Sequence, residues 1–136
     1  VNDDVIRMSF PAKPDYILAV RLAVSAVAER MGFDIDDIED IKVASSEGCI
    51  LLLSYRPDSV EIGITVKPDG IGMDLSAVAA RGREEEPEED LSQYLLEALV
   101  DTCSFDQQGE MVTSVHFLRN AGSPGRNIPP ATRGVF

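Results

Sequence analysis

The residues from Ile38 to Ser59 read "IEDIKVASSEGCILLLSYRPDS". Acids crowd the start, a single carboxylate, Glu47, stands in the middle, and the apolar run Ile50, Leu51, Leu52 and Leu53 follows. Asp34 precedes this stretch as a cap, with Asp37 three residues on, and Ile38, Ile41, Val43 and Ala44 supply an inward face. A helix from Asp34 to about Tyr55 is therefore expected, ended by "RPDS". A lone carboxylate on so apolar a helix is either a working group or a solvated one, and its surroundings decide which.

Upstream, Val5 to Phe10 alternate as a strand. In "PAKPD", Pro14 and Asp15 suit the first turn of a helix. Ile17, Val20, Val24, Val27 and Met31 then recur every three or four residues, and Gly32 supplies a left-handed stop. Downstream the period changes to two. Val60, Ile62, Ile64 and Val66 form one strand, "KPDG" a turn, and Ile71, Met73, Leu75 and Ala77 a second strand. "RGREEEPEED" reads as a solvated loop, because its acids repel one another and Pro87 breaks a helix. "DLSQYLLEALVDTC" reads as a third helix with Leu91, Leu95 and Leu99 on one side. A turn at Gln107–Gly109 leads to a last strand, "MVTSVHFL". Strand, two helices, two strands, helix and strand make an α+β two-layer sandwich, a mixed, mostly antiparallel sheet with its helices on one face. One domain over residues 1–120, with a loop at 80–90 and a flexible tail at 121–136, is expected.

The chain has 136 residues and a formal net charge of -12. That length suits one domain, and that charge disfavours nucleic acid, whose phosphates need Lys and Arg. Only Cys49 and Cys103 occur, each isolated in a helical pattern, which excludes a disulfide framework and metal-knuckle spacing. No apolar run reaches the roughly 20 residues of a membrane span, and a cytoplasmic location is expected. His116, without a Cys or Asp at metal spacing, reads as a strand-surface histidine and gives no metal site.

With "FPAKPDYILAVRLAVSAVAERMGFDIDDIEDIKVASSE" (Phe10 to Glu47) at its head and "YLLEALVD" in its third helix, the chain resembles the anti-sigma-factor serine kinases of bacterial partner-switching systems. These belong to the GHKL superfamily, which has a histidine-kinase-like ATPase fold. The likeness is closest over Phe10–Glu47 and thinner from Ser59 to Leu118. It implies that Glu47 matches the catalytic base, and that Arg21 matches a first-helix arginine that meets protein partners. Four residues after that base, on the same helix face, the family places an Asn for magnesium. Leu51 stands there and has no oxygen for a hard cation. Leu51 is expected to project into the space of magnesium and phosphates and partly close it.

The family's Asp-x-Gly stretch, which receives adenine, falls in one register on "SAVAARG", with alanine or valine from Ala77 to Ala80. In a rival register it falls on "KPDGIGMDL", with Pro68 in place of the Asp and with Gly70 and Gly72 retained beside Asp69, at the loss of one strand. The family's glycine-rich phosphate cradle reads "EEDLSQY" here, without glycine. Two like charges about 4 Å apart cost on the order of 1–4 kcal/mol, so the six acids of 84–90 oppose a bound triphosphate.

The resemblance thus implies an anti-sigma-factor-like regulator, without ATP-dependent kinase activity, that binds a sigma factor or an anti-anti-sigma (STAS-type) protein and pairs as a homodimer. Glu47 is then a vestige and no cofactor is expected. One alternative is an active serine kinase using ATP and magnesium around Glu47, Asp69, Gly70 and Gly72; another is a structural dimerisation domain.

Overall fold

The computed structural model describes residues 3–85 and 91–122. In chain order these hold strand β1 (Asp4–Pro11), a 3₁₀ turn (Pro14–Tyr16), helices α1 (Ile17–Arg30) and α2 (Ile35–Leu53), strands β2 (Ser59–Lys67) and β3 (Gly70–Val78), helix α3 (Leu91–Leu99), and strands β4 (Thr102–Gln108) and β5 (Met111–Asn120). The strands form one sheet in the order β1-β2-β3-β5-β4, every neighbouring pair antiparallel. Acids at Glu88, Glu89 and Asp90 and most of the expected tail lie outside the described residues.

The helices form the second layer. On α1, Val20, Val24 and Ala28 are buried, while Ile17, Val27 and Met31 pack at the margin of the core. Gly32 ends that helix at φ +86, where a side chain would be strained. Asp34 caps α2 as expected, its carboxylate accepting from the Asp37 amide at 2.8 Å. Val60, Ile62 and Ile64 of β2, Met73 and Leu75 of β3, and Val115 and Phe117 of β5 meet the helices from the sheet. Their alternate neighbours form an outer face with no helix over it among the described residues.

Three expectations need correction. The sheet has five strands rather than four, and it is wholly antiparallel. The third helix stops at Leu99, and Thr102 and Cys103, read as its end, belong with Phe105 to β4. Alternation governs there: Phe105 pairs with Val115 and Cys103 with Phe117, so both apolar side chains reach the core that a continuing helix would have turned away. On α3 the inward residues are Leu96 and Leu99, whereas Leu91 is exposed.

One inward position of β5 carries a charge. Arg119 is fully buried, and its guanidinium reaches Asp37 at 2.5 Å and Asp40 at 3.0 Å, both in the first turns of α2. It also donates to the Leu99 carbonyl at the end of α3, at 2.9 Å. Asp37 in turn accepts from the Gly122 amide at 3.2 Å. This cluster joins α2, α3, β5 and the turn that follows it. Gly70, beside it on β3, cannot carry a side chain, because a Cβ would lie 2.8 Å from the Arg119 carbonyl oxygen.

Breaking a buried ion pair on one side leaves uncompensated charge and costs about 3–5 kcal/mol, whereas replacing a whole cluster by apolar side chains is often neutral. Arg119→Leu is therefore expected to lower the unfolding free energy by about that amount in urea. The triple change Arg119→Leu, Asp37→Leu, Asp40→Leu should recover most of the loss. A single-variant loss under about 1 kcal/mol would contradict the arrangement.

Candidate functional site

The helix of the opening stretch packs its second half against the sheet. Gly48 permits this, since a Cβ there would lie 3.1 Å from Leu75 Cδ2 and 3.8 Å from Val115 Cγ1. With the helix so close, its neighbours are directed by helical geometry alone. Glu47 turns sideways towards α3 and is half-buried, its Oε2 accepting a hydrogen bond from Ser92 Oγ at 2.9 Å. Leu51, one turn on, is only 1% exposed and belongs to the main core, as does Leu52. Cys49 is buried as well, and burial pushes its thiol up to about 12, so it is a packing residue.

The chain beyond β3 docks on the C-terminal end of α2. The amides of Arg81 and Gly82 both donate to the Tyr55 carbonyl, at 2.9 and 2.8 Å. Arg81 donates to the Arg56 carbonyl at 2.7 Å and pairs with Asp58. Arg83 lies 4.2 Å above the Tyr55 ring and donates to Ser54 Oγ at 2.8 Å, a cation held on an aromatic face. Arg56 donates to the Gly82 carbonyl at 2.9 Å and pairs with Glu84 at 3.2 Å. Ala79 and Arg56 hold φ of 58 and 55, uncommon for residues other than glycine. Between Ala77 and Ala80 there is no carboxylate.

The residues of the rival register are elsewhere. Pro68 and Asp69 form the two-residue turn between paired Lys67 and Gly70, and both β2 and β3 are present in full. That register requires a strand to be lost, so the hairpin reading stands. Leu75 lies beneath Gly48, and Asp69 precedes Leu75 by six residues. At about 3.3 Å per residue that is about 20 Å from the Glu47 region. Asp69 and Gly70 are thus not brought together with Glu47.

Arg21 lies on α1, part-exposed, between Leu18 and Leu22, which are each 61% exposed. Leu18 and Leu22, four residues apart, form an outward apolar ridge beside Arg21. No group of three or more His, Cys, Asp or Glu side chains among the described residues could hold a metal ion, and no described helix is long and apolar enough to cross a membrane.

A helix bearing a central Glu, laid on an antiparallel sheet and flanked by a third helix, matches known architecture. The sequence profile of the histidine kinase-like ATPase domain covers residues 10–115. The chain belongs to this family. Among its relatives are proteins named serine-protein kinase RsbW from Bacillus thuringiensis (strain Al Hakam) and Bacillus cereus (strain G9842), each 35% identical over 88% of this chain and 91% of the relative. A crystal structure of the RsbU and RsbW domains of Rv1364c from Mycobacterium tuberculosis superposes with a TM-score of 0.70 at 17% identity, and so shares the fold. The match covers 93% of this chain and 35% of that longer one. Sequence reasoning offered Glu47, Leu51 and Arg21 as candidates. It missed Ser92, whose contact with Glu47 spans 45 residues, and Arg119, for which a signal existed: Val115, Phe117 and Arg119 share one strand parity.

Because Leu51 is enclosed, Leu51→Asn is expected to lower the unfolding free energy by about 2–4 kcal/mol, through lost apolar burial and a desolvated amide. A urea midpoint unchanged by that substitution would contradict the packing described.

Proposed function

We propose that this chain is a cytoplasmic regulatory module of the partner-switching kind, binding a sigma factor or an anti-anti-sigma (STAS-type) protein through α1, without ATP-dependent kinase activity. The observation that carries the reading is Leu51 at 1% exposure, in the place where the resemblance puts a magnesium ligand. The donor set does not fit magnesium ATP. Leu51 brings no oxygen, positions 77–80 bring no carboxylate, and Glu47 is engaged by Ser92. The partner side is supported by the α1 ridge, where Leu18 and Leu22 flank Arg21 in the pattern of an interface anchor: apolar bulk beside a guanidinium.

Calorimetry with magnesium ATP is expected to give no heat of binding, and a micromolar dissociation constant would overturn the non-kinase reading. In a native-cell lysate, the wild-type chain should retain a sigma factor or STAS-type protein, and Arg21→Glu with Leu22→Asp should lose it at least tenfold. Equal retention by that variant would remove α1 from the account.

A second reading, an active serine kinase, is favoured by one observation: Glu47 is retained and only half-buried, in a chain whose relatives are named serine-protein kinases. It requires phosphate transfer to a partner that Glu47→Gln abolishes.

Pairing of two copies is supported by the outer face of the sheet. Arg7, Gly63 and Asp74 stand in one cross-strand row on β1, β2 and β3, over a hollow of about 540 Å³. A two-fold axis parallel to β2 above Gly63 would set Arg7 of each copy over Asp74 of the other, as a self-complementary contact requires. Light scattering should report a dimer at micromolar concentration and a monomer for Gly63→Trp, which fills the hollow. A wild-type monomer would end this part of the proposal.

A further inference from the structure

Three neighbouring strands bring ionisable side chains together on the outer face of the sheet. His116 of β5 stands opposite Asp74 of β3, and its Nδ1 lies 2.6 Å from Asp74 Oδ1. Its Nε2 lies 2.8 Å from Oδ2 of Asp106 on β4. The ladder between β4 and β5 shifts register between Asp106 and Gln107, and such an irregularity re-aims a side chain. The imidazole is thus gripped at both nitrogens by carboxylates from the strands on either side of its own.

An ionised carboxylate only accepts hydrogen bonds, so both contacts are satisfied together only when both ring nitrogens carry hydrogen. The neutral ring has one N–H and one lone pair, and the lone pair would face a carboxylate. Losing the proton therefore removes one of the two bonds and the charge that balances two aspartates. The two sides are not equally anchored. β3 lies between β2 and β5, while β4 is the last strand, held in the sheet by β5 alone.

We propose that protonation of His116 is a switch on edge strand β4: the imidazolium clamps Asp106 to Asp74 across β5, and loss of the proton releases the outer side of β4. The three side chains of the clamp come from one chain, so it forms without nucleotide and without a partner protein.

The surroundings favour the charged ring. The hydrogen bond that Asp74 accepts from the ring raises the imidazole pKa most, part-burial opposes it, and Asp106 adds a second upward push. Of the other charged groups on this face, Lys67 borders the same hollow as His116, but its Nζ lies 3.7 Å from Asp3. Glu61 and Arg7 lie on β2 and β1, beyond β3, and the helices pack on the opposite face. A pKa raised in the folded state stabilises the fold fully below the unfolded value of about 6.5, and that contribution is lost as pH rises through the folded value.

His116 is the only histidine, so its ring proton resonance can be followed by NMR without overlap. Its midpoint is expected above 6.5 and should move down in Asp74→Asn. Amide-exchange protection in β4, compared with that in β2 and β3, should fall about five- to tenfold as pH rises through the midpoint, allowing for solvent screening of a part-exposed group. Asp106→Asn, a surface change that leaves the Asp74 contact in place, should keep a raised midpoint and abolish the pH dependence of β4. Profiles at two protein concentrations tenfold apart should coincide, separating a strand effect from pairing of copies. A midpoint at or below 6.5, β4 protection that tracks β2 throughout, or profiles that differ with concentration would each overturn the proposal.

Discussion

A guanidinium enclosed between the last strand and the first turns of α2 determines where the helical layer sits on the sheet. Arg119 holds Asp37 and Asp40, one turn apart on α2, and the carbonyl that closes α3. Taking these charges out of water is costly, and the cost is recovered only when the partners are together and correctly oriented. The cluster therefore works less as a source of stability than as a constraint on position. With the start of α2 placed, Gly48 falls over Leu75 and Glu47 faces α3.

The acids at the head of α2, uniform in sequence, divide into separate roles. Asp34 caps the helix, Asp36 is exposed, Asp37 and Asp40 turn inward to Arg119, and Glu39 pairs with Lys42 at 3.0 Å. Each role follows from angle around the helix. Residues 37 and 40 share the face that looks at the sheet; 36 lies off it. The central carboxylate is a different case, since Glu47 neither faces the core nor stands free, and its hydrogen bond with Ser92 makes it part of the contact between two helices.

Periodicity made α1, α2 and the β2–β3 hairpin legible, because each presents a repeated apolar face over many residues. β4 was not legible. It is short, ends in two glutamines, and follows α3 so closely that its first apolar residues continue a helical pattern. Leu91 misled for a related reason: it stands at the end of its helix, where spacing no longer decides which side is covered. At the site, positions along α2 could be read from spacing, and the burial of Leu51 from the apolar run around it. Contacts between distant segments, such as Ser92 with Glu47 or Arg81 with Asp58, leave no local pattern. Asp74 and Asp106 beside His116 also escaped notice, since cross-strand neighbours are not spaced like metal ligands in sequence.

The docking of residues 81–84 on the end of α2 has a mechanical consequence. The last carbonyls of α2 are closed by the amides of Ser54, Tyr55 and Arg56, and the carbonyls of the turn that follows must find donors elsewhere. Just past the end of α2, the Tyr55 and Arg56 carbonyls receive theirs from the backbone of Arg81 and Gly82 and from the Arg81 guanidinium. A segment that could otherwise swing as a hinged flap is thereby made the terminal fitting of the helix it covers. Lifting it would strip those two carbonyls of their donors in the turn that leaves α2, while the last helix carbonyls keep the amides of Ser54, Tyr55 and Arg56. Movement of the segment and order in the turn at Tyr55 and Arg56 are thus a single degree of freedom, and a force applied to either is felt by the other.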